Sequence, residues 1–293
     1  NYRINAENKG KITRNLKDIF PEKSDGELRE ICRKNFINHA MHSLEILYLP
    51  SVNERFVKKY VRVINFDSPR KALEKGNGIV FILGHFGAYY ISGITMQVMG
   101  VPMNDISQDV SKLNLSKLDR KILERRLNSY QNRISGKVFS RGSGQLLGVV
   151  KAIKRNEAIS IFIESFTTDK DPVVNFLGRK TRFPQGPIRI ALQTGAALLF
   201  STATRDKNGV ITVDIYDPLE LETTGDKERD LQRNAQKCVD LLEPAVRQHP
   251  DQWHLWRMIH DRWVTENEQA QYELESDDRG ARRRHDGAHS SLG

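Results

Sequence analysis

His85 is the first residue whose type and setting suggest chemistry. It stands in Gly84-His85-Phe86-Gly87, directly after the apolar run Gly78-Ile-Val-Phe-Ile-Leu83. An imidazole titrates near neutral pH, so it can take a proton from a hydroxyl or an amine. Flanking glycines let the backbone turn sharply and let a substrate come close. Taken alone, the same His also suits a helix cap or a polar niche. A second candidate is Glu164, the carboxylate that closes the apolar run Ala158-Ile-Ser-Ile-Phe-Ile163; the alternative for it is a strand-end charge facing water. Ser165 follows without the Gly-x-Ser-x-Gly context of a nucleophile elbow. Arg141 and Ser143 lie in Ser140-Arg-Gly-Ser-Gly144 before an apolar segment. Amide groups at a helix start attract anions and Arg adds a forked donor, so this turn suits a phosphate, or else it is a solvated turn. It is not a P-loop, because no Gly-Lys-Ser/Thr follows in register. Arg179, Arg182 and Arg189 are further anion-binding candidates, grouped around Gly186.

These side chains need elements to hold them. Gly78–Leu83 is short, apolar and β-branched, which predicts a strand. The periodic segment from about Ala88 to Val98, stopped by Gly100, predicts a helix. His85 then falls at the C-terminal end of a strand, where α/β sheets place their sites. The pattern recurs. A strand near Lys137–Ser140 leads through the Arg141 turn into a helix ending about Arg155, and Ala158–Glu164 reads as a buried strand. Phe183-Pro-Gln-Gly186-Pro187 opens a helix that closes at Gly195. Ala196–Arg205 and Val210–Tyr216 read as a strand pair joined at Asp206-Lys-Asn-Gly209. A long helix follows from about Asp226 to Gln248, with a kink or interruption expected at Pro244. Upstream, Ser24 caps a helix whose apolar positions recur from Leu28 to Leu47. Strands alternating with helices predict α/β architecture: a single domain over residues 1–265, with a mixed central sheet flanked by helices and a helical part at about 10–60. Residues 266–293 are polar and read as a frayed or disordered tail.

Ile-Leu-Gly-His85-Phe-Gly resembles the first motif of the glycerolipid and lipid A acyltransferase superfamily. Asn15-Leu-Lys-Asp-Ile-Phe-Pro21-Glu resembles the N-terminal region of its lipid A biosynthesis branch. Asn175-Phe-Leu-Gly178-Arg179, Phe183-Pro-Gln-Gly186-Pro187 and Ala191-Leu-Gln-Thr194-Gly195-Ala196 resemble its central block. His249-Pro250-Asp-Gln252-Trp253 through Arg262-Trp263 resembles its C-terminal signature. The blocks occur in family order over about residues 10–265, so the resemblance covers fold as well as motif. It implies a glycerolipid acyltransferase-like fold. It also implies transfer of a fatty acyl group from an acyl thioester, on acyl carrier protein or coenzyme A, to a hydroxyl or amine of a glycolipid or related amphiphile. His85 would be the general base, with backbone amides around Gly84–Gly87 as candidate oxyanion donors.

One position departs from the family. The motif is His, four residues, then Asp or Glu, and here the fifth residue is Tyr90. A phenol can hold an imidazole by a hydrogen bond, but it carries no charge near neutral pH and stabilises an imidazolium less. Three readings stay open: Tyr90 orients His85; another carboxylate, Glu164 or Asp105, reaches the site; or the chain is a catalytically degenerate member that binds acyl chains, carrier protein or membrane.

Composition narrows the partners. The 293 residues carry 46 Lys+Arg and 37 Asp+Glu, a formal charge of +9, and 38% of them are hydrophobic, which excludes wholesale disorder. Two cysteines, Cys32 and Cys238, exclude a disulfide scaffold and a four-cysteine metal site. No metal and no bound redox cofactor are expected. No window has 18 uninterrupted apolar residues; the chain starts at Asn, and the family often carries an N-terminal membrane anchor, so one upstream is an expectation. Residues 110–155 hold twelve Lys/Arg against two acidic side chains, while 266–293 hold seven acidic against four basic. The predicted helix Lys112–Asn132 interleaves only Tyr130 with its charges, which argues against base stacking and nucleic acid. Beside the His85 motif, it favours an anionic membrane surface or an acidic acyl carrier protein. The implied location is the cytoplasmic face of a bacterial inner membrane, peripheral or anchored. Trp253, Trp256 and Trp263 are expected as core anchors.

Overall fold

The computed structural model describes residues 6–107, 110, 113, 115–140, 144–165 and 167–265. Arg141, Ser143 and the tail 266–293 lie outside the described residues. Nine strands and nine helices are described: α1 Ala6–Ile19, α2 Asp25–Leu44, α3 Glu54–Tyr60, β1 Val61–Ile64, α4 Asp67–Glu74, β2 Ile79–Leu83, α5 Tyr89–Val98, β3 Met103–Ser107, α6 Lys117–Gln131, β4 Val138–Ser140, α7 Leu146–Lys154, β5 Ala158–Phe162, β6 Val173–Phe176, β7 Arg179–Arg182, α8 Gly186–Thr194, β8 Ala197–Arg205, β9 Ile211–Ile215 and α9 Lys227–Gln248. Seven strands form one mixed sheet in the order β1-β9-β8-β2-β5-β3-β4. All neighbours are parallel except β8 and β9, which form an antiparallel hairpin. Strands β6 and β7 form a separate two-stranded hairpin.

The sheet is covered on both faces, and β2 shows how the sequence encodes that. All five of its residues are buried. Successive side chains in a strand point to opposite faces. Val80 and Ile82 accordingly join a core with Leu16, Leu28, Ile188 and Leu242, under α1, α2, α8 and α9. Ile79, Phe81 and Leu83 join a second core with Val57, Ile91, Ile94 and Tyr130, under α3, α5 and α6. A strand that must be apolar on both sides reads as a continuous run, which is what made it visible in the sequence.

Local signals decide several boundaries. Ser24 caps α2 through a capping box: its hydroxyl accepts from the Glu27 amide, and the Glu27 carboxylate accepts from the Ser24 amide at 2.9 Å. The turn Asp206–Gly209 joins β8 to β9, with the Asp206 carboxylate accepting from the Asn208 and Val210 amides. The predicted interruption at Pro244 does not occur: α9 runs through it to Gln248. An interior proline costs about 3 kcal/mol. The same helix buries Val239, Leu242, Ala245 and Val246, and each large apolar side chain buried is worth about 1.5–3 kcal/mol, so burial wins. Strand β5 ends at Phe162, two residues before Glu164, rather than running to it. The basic helix is Lys117–Gln131, shorter than predicted.

Gly78 precedes β2 with φ +68°, and a Cβ there would stand 2.8 Å from the carbonyl oxygens of both Ile153 and Glu157. Backbone strain of this kind costs of order 1–3 kcal/mol before the clash is added. Gly10, in the interior of α1, has open space around it, and alanine is worth about 0.5–1 kcal/mol over glycine in a helix. Thermal unfolding should therefore show Gly78→Ala losing about 5 °C or more and Gly10→Ala holding or gaining. Equal melting temperatures for Gly78→Ala and the parent would contradict the account.

Candidate active site

The parallel pairing of β2 with β5 sets Leu83 opposite Phe162, an offset maintained along the whole ladder from Ile79 opposite Ala158. Two residues further on each chain stand His85 and Glu164. The amide of Ile163 still donates to the Leu83 carbonyl at 3.0 Å, so the strands stay together past their ends. Register alone thus brings the imidazole and the carboxylate face to face. Glu164 Oε2 accepts from the His85 amide at 2.9 Å and lies 3.0 Å from His85 Nδ1. Its other oxygen accepts from Trp253 Nε1 at 2.7 Å. The carboxylate is buried, whereas the His85 side chain retains 24% exposure. Phe162 stacks on the imidazole at 4.0 Å, and Tyr89 meets it edge-on at 5.5 Å.

The C-terminal segment clamps this loop. His254 donates its amide to the His85 carbonyl at 2.9 Å, and the Gly87 amide donates to the Gln252 carbonyl at 3.1 Å. The Gln252 side chain is held by both backbone groups of Arg205, each at 2.7 Å. Gly87 has φ +40°, and a Cβ there would come within 2.4 Å of the Ala203 carbonyl oxygen; only glycine fits between the loop and β8. Arg262 donates to the carbonyls of Glu164 and Ser165, the latter at 2.8 Å. Three of the amides expected as oxyanion donors have partners within the protein. The His85 amide serves Glu164, that of Phe86 bonds the Gly84 carbonyl, and that of Gly87 bonds Gln252.

Tyr90 does not orient His85. It is the second residue of α5, 8% exposed, and its ring lies parallel to that of His42 at 5.3 Å. Tyr89, Tyr130 and the Arg126 guanidinium surround it. Burial pushes its phenol up to about 12, so the hydroxyl remains protonated and neutral. Asp105 sits on β3, beyond β5 from His85. It accepts from the Ser160 hydroxyl at 2.6 Å, and burial pushes its carboxyl up to about 6.

The other anion-binding candidates are used elsewhere. Arg179 lies over the Trp263 ring at 4.2 Å, with the Asp18 carboxylate 4.0 Å away. Arg182 donates to the carbonyls of Asp169 and Asp171. Gly186 is the first residue of α8. None of these contacts involves His85. Trp253 and Trp256 are fully buried core anchors, as expected.

Sequence reasoning missed a histidine cluster behind the site. His42 Nδ1 lies 3.1 Å from Glu45 Oε2, and Arg126 Nη1 lies 3.3 Å from His42 Nε2. A guanidinium only donates, so Nε2 accepts and the ring proton sits on Nδ1: His42 is neutral. Glu45 also takes an ion pair from buried Arg205. His254 stacks near His39 at 4.4 Å and His42 at 5.0 Å, and His42 packs on Tyr89 at 4.3 Å. Burial lowers the titration of all three, to about 4 for His39 and well below the ordinary range for His254. The spacing of His39 and His42 on one helix was the available signal. Among the described residues no group of His, Cys, Asp or Glu side chains is placed to hold a metal ion, and no helix is long and apolar enough to cross a membrane. Both cysteines are buried free thiols.

The model of the bacterial lipid A biosynthesis acyltransferases matches residues 2–265. The chain belongs to that family. It is 24% identical over 258 residues to the phosphatidylinositol mannoside acyltransferase of Mycolicibacterium smegmatis, covering 87% of this chain and 79% of that protein. It is 25% identical over 227 residues to the protein of the same name from Mycobacterium tuberculosis, covering 76% and 66%. The chain is thus an acyltransferase.

Two measurements test this geometry. In Trp253→Phe, Glu164 Oε1 loses the indole donor while the ring volume is largely kept. An unpartnered buried carboxylate oxygen disfavours the ionised form, so the acid limb of the rate–pH profile should move to higher pH, with the plateau reduced by about tenfold. An unmoved acid limb would mean that the indole only fills space. The second measurement concerns stability. A histidine whose titration is lowered on folding contributes stability above its unfolded value and loses it as pH falls towards its folded value. Asp105, raised to about 6, acts in the opposite sense, gaining as pH falls from there to its unfolded value. Three histidines outweigh one aspartate, so Tm should fall by about 5 °C or more as pH drops from about 7 to about 4.5. His39→Gln should flatten that slope.

Proposed function

We propose that the chain moves a fatty acyl group from an acyl thioester, carried by acyl carrier protein or coenzyme A, to a hydroxyl of a glycolipid, with His85 as general base. The observation that carries the proposal is the His85–Glu164 contact at the paired ends of β2 and β5. With Nδ1–H donated to Glu164, the free lone pair is on Nε2, on the far side of a ring that remains partly exposed. Nε2 takes the proton of the acceptor hydroxyl as its oxygen attacks the thioester carbonyl. The carboxylate stabilises the imidazolium that forms. The C–S bond then breaks, and the imidazolium returns its proton to the leaving thiolate. An amine acceptor would follow the same path.

The acceptor class is supported by the relatives, which are named for phosphatidylinositol mannoside. A mannosylated phospholipid offers hydroxyls on a headgroup that bears a phosphate. We place the reaction at the cytoplasmic face of a bacterial inner membrane, with the chain peripheral or held by an upstream anchor. Tyr90 removes the usual carboxylate from the fifth position, but Glu164 supplies one through space, which supports the transferase reading over a binding-only member.

The test is transfer of a labelled acyl group from carrier protein and coenzyme A donors to phosphatidylinositol mannoside. His85→Ala should lose about 10²- to 10⁴-fold in rate. Glu164→Gln keeps the shape but not the charge and should lose about 10²-fold or more. Tyr90→Phe should stay within about threefold. Turnover that survives His85→Ala would remove the base from the scheme. Tyr90→Phe falling as far as Glu164→Gln would restore the phenol to it.

A further inference from the structure

The end of α2 and the start of α6 leave large apolar side chains in water. Leu44 is 54% exposed and Leu47, in the turn after α2, is 75% exposed. On α6, Leu118 is 68% and Ile122 is 41% exposed. These two are four residues apart, so they lie on one face of the helix. Exposed Lys117, Lys121 and Arg125 form an adjoining row at the same spacing. Among the described residues, no carboxylate pairs with any of the three.

Both elements adjoin the site. His42, two residues before Leu44, packs on Tyr89, whose ring meets His85. Arg126 reaches His42 from α6; Ile122 and Leu118 lie about 6 and 12 Å further along that helix. The helix starts beyond the C-terminal end of β3. That strand is parallel to β5, and β5 is parallel to β2, so all three end on the edge that carries His85 and Glu164. Apolar and cationic rows side by side, at the edge of the sheet that holds the site, form a surface with two kinds of affinity. Leucines favour a hydrocarbon boundary, and lysines and arginine favour phosphates.

We infer that Leu44, Leu47, Leu118 and Ile122, with the cations of α6, form the face that seats this chain on an anionic phospholipid bilayer and turns the His85 edge toward it. The inference rests on the lipid-acceptor reading above, but it is measured without turnover. An acidic carrier protein would satisfy the cations and leave three exposed leucines and one exposed isoleucine unexplained; a bilayer accounts for both rows.

The whole chain is mixed with phosphatidylcholine vesicles, with and without about one third phosphatidylglycerol, and the bound fraction is measured by sedimentation. Binding should require the anionic lipid and weaken in about 0.5 M salt. Leu118→Asp/Ile122→Asp should lower partition by about tenfold or more, and Leu44→Asp/Leu47→Asp, on a separate element, should do the same. Each cation reversed by Lys117→Glu or Lys121→Glu should cost at least about fivefold. Transfer between a water-soluble short-chain donor and acceptor should be unchanged in all of them, which also reports that they fold. Partition that ignores both double variants overturns the inference, and so does loss of carrier-protein binding in those variants with vesicle binding intact. A chain that partitions as described but transfers nothing would overturn the proposed reaction and leave the docking face standing.

Discussion

The buried carboxylate of Glu164 is the interaction on which the rest of the site depends. An ionised group taken out of water costs several kcal/mol unless its lone pairs are met. Here the donors come from two places: the His85 amide and ring at the end of β2, and the Trp253 indole in the C-terminal segment. Each of those partners is fixed by something else. His85 is held by strand register and by the His254 amide, and Trp253 by burial against Phe176 and Trp256. The carboxylate therefore couples chain segments roughly eighty and ninety residues away in sequence from Glu164, and none of them can move without leaving a buried charge short of a donor.

That coupling explains what the sequence revealed and what it concealed. His85 was legible because its strand is buried on both faces and its turn is marked by glycines. The core of the sheet was legible for the same reason, as was the β8–β9 hairpin through its Asp-Lys-Asn-Gly turn. In the sequence the partner of His85 stays open among Tyr90, Glu164 and Asp105, because the family spacing counts along the chain. Tyr90 holds the right number and the wrong direction: on α5 it faces His42 and Arg126. Glu164 is selected by ladder register, a property of strand pairing that a linear pattern does not contain. Strand β3 went unseen because Asn104 and Asp105 make it polar, and their burial is compensated by contacts to Ala158 and Ser160 that only the folded sheet supplies.

The amides of the glycine turn teach a related lesson. A Gly-His-Phe-Gly loop before a helix has the composition of an oxyanion cradle. The same loop must also be held still, and its amides are consumed in doing so. Backbone hydrogen bonds within a buried segment are a closed account: an amide that positions the base is not free to meet the substrate. Stabilisation of negative charge in this site then falls to groups outside residues 85–87.

The histidine cluster lines the ground behind the His85 ring. His42 is neutral because Arg126 occupies one nitrogen as a donor and Glu45 takes the proton of the other. Glu45 is balanced in turn by Arg205. Three uncharged imidazoles and two tyrosines pack behind the His85 ring, with the Arg126 guanidinium against His42. The polar wall is thus dense in hydrogen-bonding groups, and the carboxylate that His85 meets directly is Glu164. The position of Glu164, rather than the overall positive charge of the chain, therefore decides which charge the His85 ring touches.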